Sequence, residues 1–226
     1  MKQPQAGAKA SFRGRLVSET TARHLRLLAA LLAFHLVGPA VETTAPRVAT
    51  LVLLPMYVAV LGAASLAMTG GRRRVLGVLA LPLAAAIAYV ALADEARTLA
   101  LPVAALPFLG YTCVVVFREV LAPGVVDEAK LLGSASVFIL LAQLWAGVYA
   151  GLEWFASGSF VSVGGATTPG DLVYFSFVTQ TTLGYGDVTP VSAFARACAT
   201  LQATAGLFYM GVVVARFAGR LELRGN

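Results

Sequence analysis

Thr181-Thr182-Leu183-Gly184-Tyr185-Gly186-Asp187 is the stretch on which the reading of the whole chain turns. Two apolar runs flank it, Leu131–Trp154 before and Val191–Phe217 after. Each is long enough for a helix to cross a bilayer, which takes about 20 residues. Non-helical backbone survives at membrane depth only where protein buries it or where it lines a watery path. A loop punctuated by Gly184 and Gly186 in that position therefore points to a lined path rather than to a lipid-facing segment.

Composition agrees with a membrane protein. The chain is 58% hydrophobic and 12% charged, where soluble domains average about 45–50% and about 25%. Cys113 and Cys198 both fall in apolar runs, so neither a disulfide framework nor a zinc cluster is indicated, and both read as small buried hydrophobes. No catalytic constellation appears: the two histidines carry no cysteine or carboxylate cluster with them. The chain is not expected to be an enzyme or to hold a cofactor.

Working outward, Asp171–Thr182 is amphiphilic and too short to span, which fits a re-entrant half-helix. Phe155–Gly170 is rich in Gly, Ser and Thr and reads as an exposed loop. Four more apolar runs precede Leu131: Leu25–Val41, Val48–Thr69 with a kink expected at Pro55, Val75–Ala93, and Thr98–Phe117 with Pro102 and Pro107. His35 inside the first run is either a hydrogen-bonded packing residue or a functional intramembrane histidine. Residues 1–24 form a basic tail, a surface helix or a disordered segment, and its long basic lead argues against a cleaved signal peptide. Residues 118–130 form a polar linker in which Pro123-Gly124 breaks any helix. Residues 218–226 are a short tail.

The net charge of +6 could be taken for nucleic-acid binding, but its distribution gives another reason. With the N-terminus inside and six crossings, only Arg47, Arg97 and Arg196 of the 17 Lys and Arg residues fall on the outer side. Positive residues concentrate in cytoplasmic loops, where they meet the anionic inner leaflet. Both termini are then cytoplasmic, the protein is a multi-pass protein of the plasma membrane, and nucleic acid is not needed as a partner.

The string Thr182-Leu183-Gly184-Tyr185-Gly186, followed by Asp187, resembles the selectivity filter of potassium channels, whose pattern is Thr-X-Gly-Tyr-Gly. The fit extends from Asp171 to Pro190 and into the following helix, and it is specific for Leu131–Phe217. It is similar to the six-transmembrane, bacterial-type members with one pore loop per subunit and no attached regulatory domain. The resemblance implies an all-α membrane protein: a four-helix domain over 25–117, which resembles a voltage-sensor-like domain, and a pore domain over 131–217. One loop gives one wall of the path, so a homotetramer around a central pore is implied, among membrane lipids and with K⁺ as the permeant ion.

By the same resemblance, K⁺ is coordinated by the carbonyls of Thr182, Leu183, Gly184 and Tyr185 and by the Thr182 hydroxyl. Gly184 and Gly186 reach φ > 0 freely and let the backbone alternate so that these oxygens share one axis. Leu183 stands where many members carry Val. Thr181, Tyr174, Phe175 and Val178 take the positions of filter support, with Tyr174 and Phe175 as the aromatic pair around Tyr185. Many members carry two tryptophans there, one of which donates to the filter aspartate, here Asp187; the Tyr174 hydroxyl is also a donor. Val178 replaces the carboxylate some bacterial members place behind the filter, which leaves slow inactivation open.

Gly206 matches the family's hinge glycine, with close helix packing as the equal alternative. Met210, Val214 and Ala218 recur every four residues and by resemblance line the inner pore. Steep voltage gating is not expected, because Thr98–Phe117 contains no Arg or Lys. A pore-loop transporter would need four such loops in one chain, and a non-selective channel typically lacks the tyrosine. A non-conducting or modulatory subunit is the remaining alternative to a conducting channel.

Overall fold

A computed structural model describes residues 19–37, residue 60 and residues 94–222, with the backbone alone for 94–105 and 220–222. Apart from residue 60, the runs expected over 48–69 and 75–93, with Pro55 and Arg72–Arg74, lie outside the described residues, as do the far ends of both tails. The described part is helical: α1 over residues 19–37, α2 Asp94–Leu121, α3 Glu128–Phe155, α4 Pro169–Gln180 and α5 Ala193–Glu222. Two three-residue strands, β1 Phe160–Ser162 and β2 Val188–Pro190, flank α4. Among the described residues, α3 and the 193–219 part of α5 are long and apolar enough to cross a membrane, which matches the two runs that flank the loop in sequence.

α2 and α3 extend past their apolar runs at both ends. α2 begins before Thr98, passes Pro102 and Pro107 without a break and ends at Leu121; α3 begins at Glu128. The linker therefore shrinks to six residues, 122–127, with Gly124 at φ 121°. A proline within a helix costs a hydrogen bond, but it does not stop a helix that can continue on both sides of it.

Residues 19–37 and 115–136 belong to one compact unit. His24, Leu27 and Leu31 lie on one face of α1 and are all buried, while Leu25, Leu32 and Leu36 face outward. Gly133 of α3 lies against His24 and Val120: a Cβ there would come within 2.9 Å of the imidazole Cδ2 and 3.0 Å of a Val120 methyl. The turn into α3 is fastened from both sides. The Asp127 carboxylate accepts the Lys130 N–H at 3.0 Å, as an N-cap does. The Lys130 ammonium donates at 2.8 Å to the carbonyl of Ala122, just past the end of α2.

Residues 94–114 and 137–222 belong to the second unit. Its core is a triangle of rings, Tyr149, Phe160 and Phe175, meeting edge-on with centroids 5.2–5.4 Å apart. Edge-on pairs contribute about 0.5–1.5 kcal/mol each beyond burial. Ala150, Leu172, Val188, Ala195 and Cys198 complete the cluster, and Cys113 and Cys198 are free and buried.

The segment expected to be an exposed loop is only partly so. Ser159 and Phe160 are buried, and β1 pairs antiparallel with β2 in the register Phe160↔Pro190, Val161↔Thr189, Ser162↔Val188. A three-residue strand is too short for hydrophobic alternation to show in sequence. The Glu153 carboxylate at the end of α3 accepts the N–H groups of Gly158 at 2.7 Å and Phe160 at 3.1 Å, turning the chain into β1.

In the first unit His24 supplies a titratable contact. Its Nδ1 lies 3.0 Å from the Thr20 carbonyl, which only accepts, so Nδ1 is the donor. Its Nε2 lies 3.3 Å from the Glu119 carboxylate and must also carry a proton to be attracted to it. Burial opposes that charge and is the largest single effect, but Glu119, the Thr20 carbonyl and Asp127 together outweigh it, so His24 is held above its usual 6.5. A histidine raised on folding contributes stability that is full below its unfolded value and is lost as pH rises through the folded one. Wild type should thus melt above His24→Gln at about pH 6, and the gap should shrink by about pH 9. A gap unchanged across that range would contradict the charged pair.

Candidate functional site

The site is built on the end of α4. The helix starts with a capping box: Thr168 Oγ1 accepts the Asp171 N–H at 3.2 Å and the Asp171 carboxylate accepts the Thr168 N–H at 2.8 Å, with Pro169 in the first turn. Asp171 thus meets the positive end of the helix dipole, as the sequence indicates. Twelve residues on, α4 ends at Gln180, with Thr181 as its C-cap.

The next residues close that end in a specific way. The Thr182 N–H donates to the Thr179 carbonyl at 3.1 Å and the Leu183 N–H to the Val178 carbonyl at 3.0 Å. These two bonds, one nested inside the other, make the Schellman motif, whose residue after the cap is left-handed and usually glycine. Here it is Thr182, at φ 60°. A left-handed conformation costs an L-residue about 1–2 kcal/mol, and for a β-branched side chain it is a genuine outlier.

Positive φ then recurs at every second residue: Thr182 at 60°, Gly184 at 56° and Gly186 at 81°, with Leu183 and Tyr185 between them on the ordinary side. The sequence accounts for the two glycines; the conformation of Thr182 is a finding of the structure. A Cβ added at Gly184 or Gly186 would meet nothing within 4 Å, so dihedral preference rather than space demands glycine there.

Asp187 fixes the far end of the loop. Its carboxylate accepts the Tyr174 hydroxyl at 2.8 Å and its own successor's N–H, that of Val188, at 3.0 Å. Its carbonyl accepts the Val163 N–H at 2.9 Å, one step beyond the β1–β2 ladder. The hydrogen bond to Asp187 holds the neutral Tyr174 phenol and pushes its pKa up to about 12. Tyr174, which the sequence offers as a donor, thus donates to Asp187. Phe175 lies in the core against Tyr149 and Phe160, so it supports the loop by fixing α4. Val178 is buried and supplies its carbonyl to Leu183, and the Thr181 hydroxyl turns back to the Phe177 carbonyl at 2.7 Å. Thr181 to Asp187 are exposed in the single chain.

α5 continues unbroken through Gly206. A Cβ at Gly206 would come within 2.8 Å of the Gln180 carbonyl oxygen, so glycine lets α5 approach the end of α4. The structure thus supplies the packing role. Met210, Val214 and Ala218 all lie exposed on α5.

Behind the loop lies a buried polar group that sequence reading missed: Tyr149 on α3, Ser176 and Gln180 on α4, and Gln202 on α5. The signal was present, because Gln202 interrupts the apolar run of α5, and amides in such helices hydrogen-bond across to their neighbours.

The left-handed Thr182 allows a direct test. Thr182→Gly and Thr182→Ala remove the same hydroxyl, but only alanine keeps the strain. The glycine variant should be the more stable by on the order of 1 kcal/mol per chain in thermal or denaturant unfolding. Equal stabilities would contradict the left-handed conformation.

Residues 137–222, which hold most of α3, all of α4, the loop and α5, match a family model described as "Ion channel". No curated protein and no solved structure matches the chain. Over those residues the chain is similar to that ion-channel family.

Proposed function

We propose that the protein conducts potassium passively and selectively, as a homotetramer in which four copies of Thr182–Asp187 surround one axis. The observation that carries this reading is the positive φ at residues 182, 184 and 186, within a Thr-Leu-Gly-Tyr-Gly string. Alternating handedness turns successive peptide planes so that their carbonyls share a side. An ion enters such a filter when oxygens replace its hydration shell. Thr182, Leu183, Gly184 and Tyr185 supply the carbonyls in this reading, and Thr182 adds its hydroxyl. α4 leads directly into the loop, so the negative end of its dipole lies beside the path and favours a cation.

Assembly is supported by what one chain leaves uncovered. Leu183 is 59% exposed and Tyr185 68%, and Leu207, Phe208, Met210 and Val214 are exposed along α5. Apolar surface on that scale is found where a partner or lipid covers it. In a tetramer the loop side chains pack on neighbours, and Met210, Val214 and Ala218 line the inner end of the path. The plasma membrane is the location, with both termini inside. No steep voltage dependence is part of this reading, because the sequence of α2 has basic residues only at Arg97 and Arg118.

The test is flux through purified protein in lipid vesicles. Potassium and rubidium should pass far faster than sodium. Gly184→Ala should abolish the preference, because it places a Cβ at φ 56°. Equal sodium and potassium permeability would overturn the proposal. No flux from folded tetramers would favour a non-conducting subunit.

A further inference from the structure

We infer that Gln202 is a positioning residue that ties α3, α4 and α5 together behind the loop and so sets how long the loop holds its alternating backbone. The functional consequence rests on the conducting role proposed above; the positioning itself does not.

Gln202 is fully buried, as are Tyr149 and Ser176, and Gln180 nearly so. The hydrogen-bond directions in this group are fixed by donor count. The Ser176 hydroxyl lies 2.6 Å from the Ala142 carbonyl, which only accepts, so its one proton goes there. It must then accept from Gln202, whose Nε2 lies 2.7 Å from Ser176 Oγ and 2.8 Å from the Ser176 carbonyl. That turns the Gln202 amide oxygen toward Tyr149, whose hydroxyl donates to it at 2.5 Å. Both amide protons and the amide oxygen are used, and reversing the amide would set oxygen against the Ser176 carbonyl.

The second half of the group reaches the loop. Gln180 is the last residue of α4, two before Thr182. Its Nε2 donates to the Phe138 carbonyl on α3 at 2.7 Å, and its Oε1 lies 3.4 Å from Gln202 Nε2. Its backbone carbonyl lies where a Cβ on Gly206 would collide. Ser176 and Gln180 are one turn apart on α4, and Gln202 and Gly206 are one turn apart on α5, so the two helices meet at two successive turns. Any shift of α5 along or around its axis breaks the Gln202 bonds and moves the end of α4, from which Thr182 and Leu183 take their own hydrogen bonds. In an apolar setting no water replaces what is lost, and the unpaired groups stay unpaired.

Gln202→Glu tests this with a readout that simple loss of packing would not move. Protonated, the new side chain keeps one of the two donors to Ser176; ionised, it keeps neither and faces the Ser176 carbonyl with oxygen against oxygen. Burial favours the protonated form, so the greater disruption appears as pH rises. Tyr149 from α3 is the titratable partner at this position and Cys198 stands one turn earlier on α5; α4 presents Ser176 and Gln180, which do not titrate in this range. The measurement is amide hydrogen exchange at Thr182 and Leu183 in the full chain in bilayers, corrected for intrinsic rate, with decay of potassium current as the second readout. Gln202→Glu should exchange a few-fold faster than wild type at low pH, where one donor is kept, and on the order of tenfold faster still at high pH. Gln202→Leu should be faster at every pH. Tyr149→Phe, which keeps the ring and the fold, should be severalfold faster without pH dependence. Exchange at these two amides within twofold of wild type, in Tyr149→Phe and in whichever Gln202 variant folds, overturns the inference. If exchange responds as expected but wild type passes no potassium, the positioning role stands and the conducting role fails. If potassium passes selectively and exchange does not respond, the reverse holds.

Discussion

A threonine held left-handed at the end of a helix is the constraint from which the rest of this domain follows. Thr182 at φ 60° costs about 1–2 kcal/mol that glycine would avoid. The cost is met locally by the two Schellman hydrogen bonds to Val178 and Thr179, which satisfy carbonyls that would otherwise end α4 unpaired in a membrane. Strain of this kind persists only where the surroundings over-determine it, and such residues gather at functional sites. Glycine would do for a helix cap. In the conducting role proposed above, that hydroxyl lines the cation path, and the proposal thereby supplies a physical reason for threonine there.

The surroundings hold the loop at both ends by different means. At its start, α4 is fixed by polar contacts in an apolar setting: Ser176 to Ala142, Gln180 to Phe138, Gln202 to Ser176. At its end, Asp187 is fixed nearer the surface, by Tyr174, by Val188 and by the strand that Val163 leaves. The aromatic triangle of Tyr149, Phe160 and Phe175 links the two, because it joins α3, β1 and α4 in one core. Tyr149 belongs to both systems, with its ring in the triangle and its hydroxyl on Gln202.

The loop and the two helices around it were legible in the sequence because each carries a strong local signal. The runs before and after the loop are long and apolar, Gly184 and Gly186 mark positive φ, and Asp171 and Asp187 stand where a helix start and a tyrosine donor want a carboxylate. Helix ends were less legible: α3 starts three residues before its apolar run because Asp127 caps it with a side chain, which hydropathy does not register. β1 was missed because three residues carry no alternation, and its one anchor, Phe160, reads as an isolated apolar residue in a polar segment. The contact of His24 with Glu119, and that of Gln202 with Tyr149 and Ser176, join residues far apart in sequence, and spacing says nothing of them. Gly206 carried a signal open to two explanations, and the nearness of the Gln180 carbonyl supplies the one based on packing.

The central claim is that the carbonyls of Thr182, Leu183, Gly184 and Tyr185 are the groups that meet potassium. Carbonyl ¹³C chemical shifts of these four residues, recorded by solid-state NMR on the full chain in lipid bilayers, address it most directly. Replacing potassium by sodium at constant ionic strength should move all four resonances, while those of α4 before Gln180 and of α5 stay in place. Four unchanged carbonyl resonances, in protein whose α4 and α5 signals remain native, would contradict the account.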